Sequence, residues 1–294
     1  MRFYTLENAP AARPKLARQT YDCLQCHSGP LTDDVPGVMV RSVYPWRDGR
    51  PALQNGSYRT TDSSPLKERW GGWYVTGTHG TERHLGNAFV KGDENYAVLD
   101  PNDGANITDL RTFFDTSAYL TPHSDIVALL VAEHQMGVQN LLTRASYGTR
   151  SALRDMKIIH PELKDAEYSE SCLSRVKSVC EPLVRDLFMA EEAPLGAPIA
   201  GTSRFAAQYE KSGPLRQLDL KTRLYALRCS PMVFSPSLEN LPLVGRAYLT
   251  RRFIDVLEGR DPKITLPEAE RAAIREILQK TRPWLVTPPP PPGS

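Results

Sequence analysis

The chain comprises 294 residues, of which 40% are apolar and 24% charged, with a net charge of +2. That balance excludes a disordered chain, and 36 basic against 34 acidic residues leave no electrostatic footprint for a nucleic-acid partner. Twenty-five prolines predict many irregular connections, and no run of about 18 apolar residues offers a membrane span.

The first sixteen residues lack the apolar core of a signal peptide, which taken alone points to the cytoplasm. Leu16, Thr20 and Leu24 recur at helical spacing after Pro14, so the pattern predicts a helix over 15–26, stopped by Ser28, Gly29 and Pro30. That helix delivers Cys23-Leu24-Gln25-Cys26-His27, a C-x-x-C-H motif. Two thiols three positions apart can form thioethers with the two vinyl groups of one haem, and the adjacent imidazole of His27 then faces the iron as proximal ligand. Covalent haem c is assembled outside the cytoplasm, so the motif implies a periplasmic or otherwise extracytoplasmic chain whose leader or anchor has been removed. Two other chemistries use such a pair. A thioredoxin-like redox pair follows a strand in a βαβ pattern, which the preceding residues do not show, and a zinc half-site wants a second pair, which Cys172, Cys180 and Cys229 do not form.

From 28 to about 110 the pattern is short alternating runs broken by turn dipeptides. Val38, Val40 and Ser42 alternate with Met39 and Arg41, while Asp48-Gly49 and Asn55-Gly56 can each turn the chain. Residues 73–79 and 84–90 read as a hairpin, which would oppose His79 and His84 on one face as a sixth haem ligand or a separate metal pair. Met39 is a further thioether candidate for the iron. Trp46, Trp70 and Trp73 are candidates to wall the haem edge, and Arg69 and Arg83 to pair with its propionates.

From Thr121 the period becomes helical. Pro122, His123, Ser124 and Asp125 make a capped start, and Val127, Leu130, Val131, His134, Val138, Leu141 and Leu142 form one stripe. His134 sits on that apolar stripe as a core histidine, an iron ligand or a proton shuttle; His160 reads as a helix-end residue. Further helices are predicted over 149–159, 169–190 with a kink at Pro182, 202–211, 218–228, 243–258 and 267–280, before a proline-rich tail at 287–294. Cys172 and Cys180 lie about 12 Å apart along one helix, so an oxidising compartment would pair Cys229 with one of them.

The segments CLQCHSG, VPGVMVRSVYP, SPLKERWGGWYVTGTHG, HLGN, LTPHSDIVALLVAEHQ and GPLRQLDLKTRL are similar to those of a bacterial family of cytochrome c-like proteins without an assigned reaction. The motif itself resembles that of c-type cytochromes in general. The resemblance implies one covalent haem c and an exported location, and it implies no reaction.

The expected fold is mainly α with a small, hairpin- and loop-rich N-terminal haem-binding region, an α+β arrangement. Residues 1–120 would bind the haem, 121–286 would form a helical region packed on it, and 287–294 a disordered tail. The expected function is electron transfer to a redox partner protein. The alternatives are a haem enzyme with an open distal position acting on peroxide or another small oxidant, and an electron-relay subunit of a membrane-associated redox complex. A carrier alone needs about 100 residues, which leaves some 170 without a role.

Overall fold

A computed structural model describes residues 1–9, 13–93, 97–164 and 167–288. About 42% of the chain is helical and 11% strand, an α+β mixture whose strands, among the described residues, form small antiparallel pairs. Among the described residues, no helix is long and apolar enough to cross a membrane.

The N-terminus is a hairpin in which β1 (Phe3–Glu7) pairs with β2 (Lys15–Gln19) and Leu6 lies opposite Leu16. The expected helix over 15–26 is therefore divided: its first five residues are strand, and only α1 (Asp22–His27) is helical. Leu16 is exposed, so the i, i+4 repeat that suggests a buried helical stripe does not bury it. Next, β3 (Val40–Val43) pairs with β4 (Ser57–Thr60), with Val40 opposite Thr60. Both turn dipeptides do their work: Gly49 at φ 85° and Gly56 at φ 77° take backbone angles that a Cβ would oppose. A third pair joins β5 (Lys91–Gly92) to β6 (Ala97–Val98).

The predicted hairpin over 73–90 does not form. Thr76 instead bridges Asp125, and Thr78 bridges Ala200, so distant segments supply the backbone partners that a second strand was expected to supply.

Helix α2 (Ile126–Ile159) runs 34 residues, about 50 Å, and absorbs the separately predicted 149–159 helix without a break. Its cap is Asp125, whose carboxylate accepts the Val127 and Ala128 N–H groups, whereas His123 plays no capping part. Helix α3 (Glu170–Leu187), capped by Ser169, lies along α2 and carries Pro182 within it. Then come α4 (Phe205–Lys211), the short α5 (Pro236–Glu239), α6 (Leu243–Leu257) and α7 (Glu268–Thr281). Residues 218–228 are not the expected helix but a tight loop closed by a Leu218–Tyr225 bridge, in which Leu220 takes φ 55°. The tail prediction falls largely on 289–294, outside the described residues.

Two apolar clusters hold the molecule. One packs Val138, Leu142, Ala145 and Ala152 of α2 against α3, α6 and α7. The other packs Ile126, Val127, Leu130 and Val131 of the same helix against Leu66, Trp70, Val75, Ile199 and Tyr225. Cys172, Cys180 and Cys229 lie in the first cluster as free thiols, so the expected Cys229 bridge is not made. Burial pushes the Cys180 thiol up to about 11 and that of Cys229 higher still, which leaves both protonated.

Candidate functional site

Cys23, Cys26 and His27 lie together on α1, with Cys23 half-buried and Cys26 exposed, both as free thiols. The His27 backbone carbonyl accepts the Gly37 N–H at 2.9 Å, and its Nδ1 lies 3.1 Å from the Gly37 carbonyl oxygen. A carbonyl only accepts, so Nδ1 carries the proton and donates, and Nε2 holds the lone pair. The Phe3 ring lies 4.8 Å from the His27 ring, and Tyr4, Leu6, Leu16 and Tyr21 in the same N-terminal segment are exposed. Two accessible thiols, an imidazole whose tautomer is set and an apolar surface suit the covalent attachment of a planar apolar group.

The loop that holds His27 is tied to α2. Val38 donates its N–H to Asn140 Oδ1 at 3.1 Å, and Asn140 Nδ2 donates to the Val38 carbonyl at 2.7 Å. A Cβ on Gly37 would meet Asn140 Oδ1 at 2.3 Å, so the approach depends on glycine.

The candidate ligands His79, His84 and His134 are each engaged by other groups. His79 and His84 come together, their rings 4.7 Å apart, although no hairpin aligns them. His79 Nδ1 donates to the Glu82 carbonyl at 2.8 Å while Nε2 accepts the Asn106 N–H at 3.0 Å. His84 Nδ1 accepts the Gly86 N–H at 3.0 Å, and its ring meets buried Trp70 edge-on at 5.3 Å. Burial, together with His79 beside it, lowers the His84 pKa to about 3, so the ring is neutral with its proton on Nε2. Neither ring offers an unoccupied lone pair to a metal. Met39 is half-buried and lines a small crevice with Val38, Met136 and Asn140. The tryptophans and arginines divide similarly. Trp70 is fully buried and Trp73 exposed; Arg69 pairs with Glu133, and Arg83 bonds Asn102 and the Glu82 carbonyl. His160 is half-buried just past the end of α2, 3.1 Å from Glu162.

His134 is at the centre of a second constellation. Its Nδ1 donates to Asp62 Oδ2 at 3.0 Å, and its Nε2 lies 2.6 Å from Ser230 Oγ. Asp186, in the last turn of α3, brings a third donor, and one ligand atom from each of Asp62, His134 and Asp186 lies within 4.8 Å of the others. Burial alone would lower the His134 pKa, but the hydrogen bond and charge of Asp62, helped by Asp186 and Glu192, raise it. Burial would raise Asp62, yet His134 and Arg69 hold it low. Asp186, buried beside the Asp62 charge, is pushed up to about 7. A cavity of about 400 Å³ opens on this cluster, lined by Asp33, Arg59, Asp62, Gly137, Pro182 and Asp186 among others.

Asp62, His134 and Ser230 have the hydrogen-bond order of a nucleophilic triad. Ser230 is fully buried, however, its Oγ accepts the Met232 N–H as a helix cap, and it does not line the cavity, so no substrate carbonyl reaches it. Asp62, Asp186 and Ser230 escape sequence reading because they sit 72, 52 and 96 residues from His134, in no motif; a histidine placed on an apolar stripe was the one local sign that a buried partner had to exist.

Comparison with known proteins leaves the geometry to speak alone: no family model matches the chain, and no curated protein or solved structure matches it.

Proposed function

We propose that the protein is an exported monohaem c-type cytochrome that carries electrons to a redox partner protein. The observation that carries this reading is the pairing of the C-x-x-C-H helix with a His27 ring whose Nδ1–H is held by the Gly37 carbonyl. Cys23 and Cys26 would hold the group as thioethers, and His27 would present Nε2 to the iron. The bound haem supplies reversible one-electron chemistry. The chain's part is to attach it, to orient His27 through Gly37 and Asn140, and to shield its edge with Phe3 and neighbouring apolar side chains. The hairpins and loops of 1–120 then form the haem-binding region, resting on the helices of 121–286.

A second reading has a specific observation behind it. His79 and His84 have no free ring lone pair, His134 is held between Asp62 and Ser230, and Met39 packs into a crevice, so none of the four named candidates is poised as a sixth ligand. An open distal position would suit a haem enzyme acting on peroxide or another small oxidant.

The test is expression with export and haem c maturation, followed by absorption spectra of the reduced protein with and without carbon monoxide. Covalent haem with a spectrum that carbon monoxide leaves unchanged supports the electron carrier. A clear shift moves the function to the second reading, and the lack of covalent haem overturns both.

A further inference from the structure

We propose that Asp62, His134 and Asp186 form a binding site for one divalent transition-metal ion of the zinc class, distinct from the C-x-x-C-H motif, with its open coordination position facing the adjoining cavity.

The donors come from three separate segments: the loop after β4, the third turn of α2 and the last turn of α3. Their ligand atoms already lie within 4.8 Å of one another, close enough for small rotamer shifts to bring all three onto one ion at about 2.0–2.2 Å. One imidazole with two carboxylates is a borderline donor set that suits zinc and leaves a fourth position for water. The imidazole is also oriented as a metal ligand is. Nε2 is held by Ser230, a hydroxyl that can accept its N–H, while Nδ1 points at the two carboxylates. Tyr225 packs edge-on against the same ring at 5.6 Å.

Charge supplies an independent reason. Around the cavity, Arg59 pairs with Asp33, Arg185 with Glu191 and Arg69 with Glu133. Among the described residues, His134 is the one cationic group that pairs with the Asp62 side chain directly, Arg69 reaching Asp62 through its backbone carbonyl, and Asp186 faces Asp62 carboxyl to carboxyl. Two carboxylates at one imidazole form the kind of buried negative excess that a divalent cation neutralises. Access is built in as well. Residue 137, one turn beyond His134, is glycine; a Cβ there would stand 3.7 Å from Asp186 Oδ2, so a larger side chain would enter the space above the carboxylates. Binding exchanges the proton between His134 Nδ1 and Asp62 for the ion, and that proton leaves through the cavity.

The site stands apart from the haem reading. Asn140, which holds the His27 loop, is six residues from His134, about 9 Å along α2. The experiment uses the wild-type chain and a C23S/C26S variant, both stripped with chelator and dialysed against micromolar Zn²⁺. Bound zinc is counted by elemental mass spectrometry, and thermal unfolding is recorded with and without the ion. About one zinc per chain is expected in both proteins, with a raised Tm. Asp186→Asn and Asp62→Asn keep the shape of each side chain and are checked for folding by circular dichroism; each is expected to weaken zinc binding at least about tenfold and to abolish the rise in Tm. Wild-type protein that retains no zinc overturns the site. So does zinc that disappears in C23S/C26S while Asp186→Asn leaves it unchanged, which would place the ion on the cysteine motif.

Discussion

Glu133 and His134 are neighbours on α2 with opposite tasks. Glu133 accepts Trp70 Nε1–H at 2.6 Å and Arg69 at 2.8 Å, both inside the protein, and burial pushes its pKa up to about 7 despite these partners. Arg69→Ala would strip a buried carboxylate of its cation and is expected to cost about 3–5 kcal/mol, whereas the Arg50–Asp48 pair lies in water, where solvent screens it, and its loss is expected to cost far less. Urea denaturation of the two alanine variants, R69A and R50A, measures the contrast, and equal losses would contradict it. His84 sets a pH dependence. Its folded pKa of about 3 lies below the unfolded value near 6.5, so the unfolded chain binds a proton that the folded chain refuses. Its contribution is complete above about pH 6.5 and is lost as the pH falls toward 3. Unfolding free energies at pH 7 and pH 5 should therefore differ less in His84→Gln than in the wild type.

At the scale of elements, α2 organises the molecule because its N-cap and three of its side chains tie it to separate segments. Asp125, just ahead of it, caps the helix and also accepts the Ser203 N–H and hydroxyl; Glu133 and His134 hold buried partners; and Asn140 clamps Val38 from both sides. Asn140→Ala leaves the Val38 N–H and carbonyl without these partners, at an expected cost of about 2–4 kcal/mol. It also frees the loop that orients His27, so if the proposed haem c is attached its reduction potential should move as well. A loss of stability with an unchanged potential would separate the clamp from the proposed haem attachment. The β3–β4 pair is locked in a similar way. The Val43 N–H donates to the Gly71 carbonyl, and a Cβ on Gly71 would lie 2.0 Å from the Val43 oxygen. Gly71→Ala is therefore expected to destabilise the protein by more than about 3 kcal/mol, read from its thermal midpoint.

For the molecule as a whole, the decisive feature is that one helix serves both apolar clusters. Ile126 to Val131 belong to one and Val138 to Met156 to the other, and Glu133, His134 and the cavity lie at the junction. Neither cluster can lose its share of α2 without exposing the other's, so calorimetry should record a single cooperative unfolding transition. Two resolved transitions would show that the clusters melt independently.

The sequence by itself determined what short-range chemistry controls. The C-x-x-C-H motif, the glycine turns at 49 and 56, the Asp125 cap and the apolar stripe of α2 are local patterns whose meaning depends on spacing along the chain. Where a pattern lacked burial to enforce it, the reading failed: residues 15–19 became strand because β1 offered hydrogen bonds, and 73–90 joined Asp125 and Ala200 rather than itself. Only the tertiary structure decided which groups meet. Asp62, Asp186 and Ser230 converge on His134 from far along the chain, and His79 and His84 are engaged by neighbours that no spacing announces. The reason is physical: a buried polar group must find a partner, and in a chain of this length that partner is chosen by how the elements pack, not by its distance in sequence.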